Sequence, residues 1–423
     1  FTVFALSLYV GGVKTGKRVK LKGSDTELLD KCARATYKYF EDMRSANTLV
    51  CDNYQFEPMQ GCNKMTSPTN LGMGLLSHVC AAKLGYIDDG KACELIAGDI
   101  ETLRKLPKWR GHLYNWYDVK DCSVKQPRFV SGVDSGNFLA CCICVSSYLD
   151  SLGRRSAELD EIILNHDLGA IYDASLGQFY IGYNCDTDKY EGHYDMLASE
   201  ARTLAYIGAC LGGDTAAWNN LGRRIVNSYG NMLISWGGTA FEYLMPQLFF
   251  PSIDRSMITL SCKRAVKVIE RNKCGGLFGV SESGYYEFND TMSYKYSQFG
   301  ISSLALKADA DRCIIAPYAS ALALEYAPRR VVANLGRIIK EGAFGEYGFC
   351  EAIDYTAGGE IVKSYMSHHQ GMILASITNS LKDNCIQKLF YDNPLMAGGR
   401  LMLEERMPEH RNMAKPKADF VYK

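Results

Sequence analysis

Two glutamates stand where the chain has the residue types for bond chemistry. Glu282 lies in "VSESG", inside "GVSESGYYEFND" (Gly279–Asp290), a segment with no helical period. Small residues beside it let backbone approach a ligand closely, and Tyr285, Tyr286 and Phe288 follow as candidate pocket walls. Glu200 lies in "YDMLASEARTLAY", among apolar positions, with Arg202 two residues on. Glycosidic-bond chemistry needs two carboxyl groups on opposite sides of the anomeric centre: one moves a proton, the other attacks carbon or activates water. Each glutamate also has a plainer reading. Glu282 could cap a helix from a loop, and Glu200 could be a buried acid paired with Arg202. The residue pattern leaves both open.

Other polar groups cluster at irregular places. Glu242 follows a glycine pair in "WGGTAFEYLMPQ", and Glu351 and Asp354 are three apart in "YGFCEAIDYT". These read as binding or scaffold groups rather than as the reacting pair. His368 and His369 in "YMSHHQGM" are candidates for sugar hydroxyls. No Cys/His set has ligand spacing, so neither a metal nor a cofactor is expected.

Helices must hold these groups. Periodicity predicts helices over 24–43, 69–84, 91–106, 135–152, 157–171, Tyr194–Leu211, Ala216–Tyr229, Thr239–Phe250, 255–271, Tyr296–Lys307, 318–325, 330–341 and Val362–Leu381, with Pro394–Arg406 as a further candidate. A helix from Tyr194 would set Tyr194, Leu197 and Ala201 on one stripe. Few segments read as strands; "GQFYIGYN" (Gly177–Asn184) alternates and suggests a short hairpin. The long connections 53–66, 108–133, 275–294 and 344–359 are rich in glycine, aromatics and carboxylates, as functional loops are. A ring of helix pairs would gather such loops at one end. The expected fold is therefore all-α, an (α/α)6 toroid, with an open α-solenoid as the alternative.

The totals fit that picture. The chain has 423 residues, 47% hydrophobic and 22% charged, enough for a large core. Its 47 basic and 47 acidic residues cancel, so nothing points to nucleic acid. Its 27 tyrosines suit wet grooves and sugar faces as well as half-buried packing. Of the 16 cysteines, Cys80, Cys141, Cys142, Cys144 and Cys210 lie in apolar helical runs. They read as reduced core residues in a reducing compartment. "FTVFALSLYV" at the start is too short to span a bilayer. With Lys14, Lys17, Arg18, Lys20 and Lys22 after it, it reads equally as the stump of a membrane helix or as a surface or core segment.

Taken together and in order, "TSPTNLGMGLLS", "FVSGVDSGNF", "FYIGYN", "HYDMLASEAR", "WGGTAFEYLMP", "GVSESGYYEF", "KYSQFGISSLALK", "IAPYASALAL", "YGFCEAIDYT" and "VKSYMSHHQGM" resemble the glucoamylase-like transglycosylation domain of cyclic β-1,2-glucan synthases. The likeness runs from about Leu28 to Pro408. It implies an (α/α)6 barrel that takes linear β-1,2-glucan, forms a glycosyl-enzyme and closes it into a ring. Related endo-β-1,2-glucanases hydrolyse instead, and a non-catalytic glycan-binding domain is a third reading. Carried over by motif, Glu200 of "SEAR" is the general acid/base and Glu282 of "SESG" the nucleophile. The expected sugar-binding groups are Asp134, Tyr194, Trp236, Glu242, Tyr285, Tyr286, Glu351, Tyr365, His368, His369 and Gln370. Cys350 stands where the family has an aromatic residue, and the 357–361 connection is short, which touches subsites rather than the two glutamates. The resemblance further implies a basic membrane-proximal linker (1–23), a catalytic domain (24–385) and a C-terminal helix and tail (386–423). It places the chain at the cytoplasmic face of the membrane, beside glycosyltransferase and phosphorylase-like modules.

Overall fold

Capping residues and burial explain why the helices form where they do. The computed structural model describes residues 21–307 and 312–408. Helix α1 (Gly23–Asp42) buries one stripe, Leu29, Cys32, Ala33, Thr36, Tyr37, Tyr39 and Phe40, and leaves the other face wet. Helix α2 (Pro68–Leu84) is different. Ser67 caps it, its Oγ accepting from Asn70 N at 3.2 Å, Pro68 opens it, and Gly85 ends it at φ 84°. Nearly all of α2 is buried, as is most of α4 (Gly132–Ser151), which Ser131 caps. Helices apolar all round belong inside. Between them lie α3 (Asp89–Lys105) and, after α4, α5 (Ala157–Leu164), both with one wet face.

The remaining helices repeat this alternation. They are α6 (Ala201–Gly212), the single turn α7 (Ala216–Asn219), α8 (Ala240–Leu244), α9 (Met257–Arg271), α10 (Pro317–Leu322), α11 (Pro328–Lys340), α12 (Ser367–Leu381) and α13 (Cys385–Tyr391). The buried helices contact each other in sequence: α2 with α4, α4 with α6, α8 with α10, α10 with α12, and α12 back with α2. Arg202 bridges α6 to α8, donating to the carbonyls of Glu242 (2.8 Å) and Tyr243 (2.6 Å). Small residues let the first members approach. A Cβ on Gly72 would lie 3.1 Å from Phe138 Cα, and one on Gly136 would lie 2.8 Å from Leu204 Cβ. The half-wet helices pack outside: α1 on α12, α2 and α11, α3 on α2, α5 on α4, α9 on α8, and α11 on α10. Helix α13 and the 3-10 turns of Pro394–Glu404 lie against α4 and α6 respectively.

Short strands precede each buried helix, more of them than the sequence suggests. Asn53–Phe56 pairs with Met59–Cys62 and with Ser364–Met366. Val124–Ser131 sits between Asn115–Asp118 and Gln178–Asn184, and the last pairs with Lys189–His193 as the expected hairpin. Ser283–Phe288 pairs with Tyr294–Ser297. Most of these strands are too short to show alternation. They also overturn several predicted helices. Over Tyr194–Leu211 the helix begins only at Ala201, because Leu197 N and Asp195 O are tied to Gly222. Tyr194 therefore does not share a helical stripe with Ala201. Over Ala216–Tyr229 one turn gives way to a hairpin, Ile225–Asn227 with Asn231–Leu233. Pro246 cuts Thr239–Phe250 to α8 and a 3-10 turn. Tyr296–Lys307 is a strand end and a 3-10 turn, held where a Cβ on Gly300 would strike Gly237 O. The Val362 helix starts at Ser367, after two strands.

The all-reduced cysteine reading also needs correction. Cys274 and Cys313 are disulfide-bonded, brought together by the 273–278 hairpin and the strand Ile314–Ile315 across 39 residues of sequence. Cys80, Cys141, Cys142 and Cys144 are buried and unbonded, and Cys210 is half-buried and unbonded. Among the described residues no helix is long and apolar enough to cross a membrane. The proposed membrane stump, Phe1–Lys20, lies outside the described residues.

Candidate active site

The first turns of the buried helices carry polar side chains that meet one another. Thr69 of α2 donates to Asp134 Oδ1 of α4 at 2.6 Å, and Asn115 Nδ2 reaches Asp134 Oδ2 at 3.1 Å. Glu200 is the residue just before α6, and Glu242 lies in the first turn of α8. Tyr318 of α10 donates to Ser281 Oγ (2.8 Å) and to the Glu282 carbonyl (2.9 Å). His369 of α12 stacks on the Tyr318 ring at 3.7 Å, and His368 Nδ1 lies 3.2 Å from Asn70 Oδ1, back on α2. The helix starts thus bring their polar side chains to one region. Each start offers unpaired N–H groups and a positive dipole end, a setting that tolerates acids.

Acids fill it. Burial first, then Glu200, Glu242, Glu351 and Asp134, push the Glu282 carboxyl well above the carboxylate range. Burial, then Glu242, pushes Glu200 up to about 8, against the opposing pull of its own backbone N–H, the Tyr194 hydroxyl and Arg202. Glu200 Oε2 is buried without a hydrogen-bond partner. Arg202 does not pair with it; the guanidinium is spent on the carbonyls of Ser199, Glu242 and Tyr243. Burial and neighbouring like charge thus favour the protonated form of both carboxyls.

The other sequence candidates divide by what holds them. Glu242 is 1% exposed and saturated: it accepts from Gly237 N (3.0 Å), Thr239 N (3.0 Å) and Ser235 Oγ (3.0 Å), closing a capping box with Thr239. Glu351 is buried, accepting from Gly284 N at 3.0 Å with His369 Nδ1 3.0 Å from both its oxygens. Gln370 is buried and donates to Phe349 O. Tyr365 is buried, parallel to the rings of Tyr54 and Phe56. Trp236 is half exposed, its Nε1 donating to Asp195 Oδ1 at 3.0 Å. Tyr194 is half-buried, its phenol raised by burial and then by Glu200, Glu242 and Glu282. Tyr285 lies under the Arg312 guanidinium, and Tyr286 N is held by Asp354 Oδ2.

Sequence reasoning missed Tyr318, Asn70 and Asp52. Tyr318 and Asn70 sit inside quoted motifs, but their types gave no reason to single them out. Asp52 is buried, bonded by Asn70 Nδ2 (2.7 Å) and Asn63 Nδ2 (3.0 Å), and burial raises its pKa. Among the described residues no group of three His, Cys, Asp or Glu could hold a metal ion.

Comparison with known proteins places this architecture. Residues 271–394 match the Glycoamylase family model, described as "Putative glucoamylase"; the match takes in Glu282, Glu351 and His369 but not Glu200. The chain is 28% identical over 527 aligned residues to the cyclic β-(1,2)-glucan synthase NdvB of Rhizobium meliloti (strain 1021), covering 90% of this chain. It spans 19% of that synthase's length. The resemblance drawn from the motifs is therefore upheld. Among solved structures, a "putative glucoamylase" from Bacteroides caccae superposes with a TM-score of 0.75 at 16% identity, over 90% of this chain and 99% of that one. An endo-β-1,2-glucanase from Chitinophaga pinensis, solved with sophorotriose and glucose, gives 0.73 at 15%, over 91% and 99%. These likenesses establish the fold.

Proposed function

We propose that this chain is an anomer-retaining transglycosylase of linear β-1,2-glucan, built as an (α/α)6 toroid, with residues 24–385 as the catalytic unit. The closed circuit of buried helices inside half-wet ones supports the toroid. The observation that carries the function is the Glu200–Glu282 pair, two half-buried carboxyls from different elements, with Glu200 among the like charges that raise Glu282. The kinship with the synthase and the glucanase fold supply the substrate class.

In this reading a Glu282 carboxylate oxygen attacks the anomeric carbon while the bond to the leaving oxygen breaks. Glu200 gives its proton to that oxygen, directly or through a substrate hydroxyl. Glu200, now charged, then takes the proton of an acceptor hydroxyl as that oxygen displaces Glu282. Two displacements restore the β-linkage. If the acceptor is the far end of the same chain, the product is a ring; if water, a shorter oligosaccharide. Spanning a fifth of the synthase's length fits a chain that works beside other modules at the cytoplasmic membrane face.

Incubation with linear β-1,2-glucan, followed by mass spectrometry and proton NMR, tests this. Rings, with β-anomers first in any hydrolytic side product, are expected. Short β-anomeric oligosaccharides alone would move the chain to the endo-β-1,2-glucanase reading. Initial α-anomer would mean inversion, and unchanged substrate would leave a glycan-binding domain.

A further inference from the structure

The segment around Glu282, just before the strand Ser283–Phe288, is gripped on both sides by residues from other elements. On the upstream side, Ser281 Oγ accepts from Phe241 N at 3.1 Å and from the Tyr318 hydroxyl, which also holds the Glu282 carbonyl. On the downstream side, Glu351 Oε1 accepts from Gly284 N. His369 joins the two grips. Its Nδ1 faces both Glu351 oxygens, and its ring lies 3.7 Å from the Tyr318 ring at an interplanar angle of 11°. Glu351 and His369 are 2% and 1% exposed, which leaves little surface for a sugar to touch.

We propose that Glu351, His369 and Tyr318 form a clamp that fixes Glu282 over the anomeric carbon, and so act as positioning residues rather than sugar contacts. The inference rests on Glu282 being the nucleophile of the function proposed above. A shift of about 1 Å in such a carboxylate costs on the order of 10²-fold in rate, while binding through distant sugar contacts survives.

The clamp has an electrostatic consequence. The groups facing Glu282 are Glu200 before α6, Glu242 in α8, Asp134 in α4, Glu351 before the strand Ala352–Asp354, and the phenols of Tyr194, Tyr296 and Tyr318. His369 stands behind Tyr318. Glu351 is among the like charges that hold the Glu282 carboxyl up. Removing that charge lets Glu282 ionise at lower pH. A nucleophile works when ionised, so the acid limb of the rate profile moves down.

Tyr318→Phe keeps the stacked ring and removes both hydroxyl bonds; Glu351→Gln keeps the shape and removes the charge. In the full chain, amide hydrogen exchange at residues 281–285 is expected to rise at least about 10-fold in both variants, with α2 and α4 unchanged. On linear β-1,2-glucan, kcat is expected to fall roughly 10- to 100-fold with KM within about threefold. Glu351→Gln alone moves the acid limb to lower pH. Unchanged exchange at 281–285 overturns the clamp, as does a KM rise with kcat retained, which would make these residues sugar contacts. If one variant does not fold, the other decides. Should the wild type leave the glucan untouched, the proposed function fails, and hydrogen exchange still decides whether the clamp exists.

Discussion

The two ends of the buried helices use polar residues in opposite ways. At the C-terminal ends, a cavity of about 400 Å³ is lined by Leu244, Leu322 and Leu381 with Gln247 and Gln387 among them. Side-chain donors there complete helix carbonyls: Gln387 Nε2 reaches Gln247 O at 2.8 Å, and Asn379 Nδ2 reaches Leu248 O at 2.9 Å. At the N-terminal ends, acids accept from backbone N–H groups: Glu242 from Gly237 and Thr239, and Glu351 from Gly284. The first follows from the carbonyls every helix leaves unpaired at its C-terminus; at the other end the N–H groups served belong to the loop before α8 and to the strand Ser283–Phe288. The difference is that the acid end has a surplus. Glu200 retains an unpartnered buried oxygen, and Glu282 sits among like charges. The cavity is at the C-terminal end, yet the group chemistry is at the other. Perturbed acids, not empty volume, locate the candidate site.

The largest effect should separate these ends by turnover. Glu282→Gln and Glu200→Gln each remove one of the reacting pair, so turnover on linear β-1,2-glucan should fall by roughly 10²-fold or more with the fold kept. At the other end, Gln387→Leu should leave kcat/KM within about twofold. Initial rates and circular dichroism check all three. Near wild-type rates in either glutamate variant would remove that residue from the pair.

Stability should then rank differently from activity. Glu242→Ala strands the buried N–H groups of Gly237 and Thr239, a loss of about 1–3 kcal/mol. Gln387→Leu loses the donor that serves Gln247 O and Glu325 Oε2, about 1–2 kcal/mol. Urea midpoints at fixed pH give both. An equal or larger loss at Gln387 would mean that the two ends share the structural load evenly.

A pH-dependent change in the opposite direction follows at Glu200. Its folded-state pKa is raised, from an ordinary 4.5 to about 8, so the folded chain binds this proton more tightly than the unfolded chain. That contribution is whole below about pH 4.5 and is lost as pH rises toward 8. Glu200→Gln carries no such proton. The variant should gain on the wild type by roughly 3 kcal/mol at pH 8 relative to pH 5. Unfolding midpoints at the two pH values measure it; no difference would mean that Glu200 is not held protonated by its surroundings.

How much of this could be read in advance differs by region. The buried helices were legible because α2, α4 and α12 are long apolar runs, and the motifs marked Glu200 and Glu282. The approach to α6 was not. Residues 194–200 carry a helical pattern, but Asp195 and Leu197 pair with Gly222, a partner over twenty residues away that no local period records. The Tyr296 segment failed likewise, because its strand partner is Ser283–Phe288. The roles of Glu242 and Glu351 were ambiguous for a further reason. A capping acid and a sugar-binding acid have the same residue type, and only the backbone N–H groups around them tell the two settings apart.

The smallest expected effect lies within one segment. Glu287 is five residues from Glu282, shares its aromatic neighbours in sequence and is a carboxylate on the same segment. Its setting is the reverse. It is solvent-facing, paired with Arg312 and with Lys295 at 3.4 Å, and the Arg312 bond first, then Lys295, hold its carboxyl below the usual range. Exposed ion pairs contribute little, because water already solvates both partners and ordering two side chains opposes the attraction. Glu287→Gln should therefore shift neither the urea midpoint nor the acid limb of the rate profile measurably, and turnover should stay within about twofold. The same substitution at Glu282 should all but abolish turnover. A loss at Glu287 comparable to that at Glu282 would show that burial among like charges is not what distinguishes the reacting acid from its neighbour.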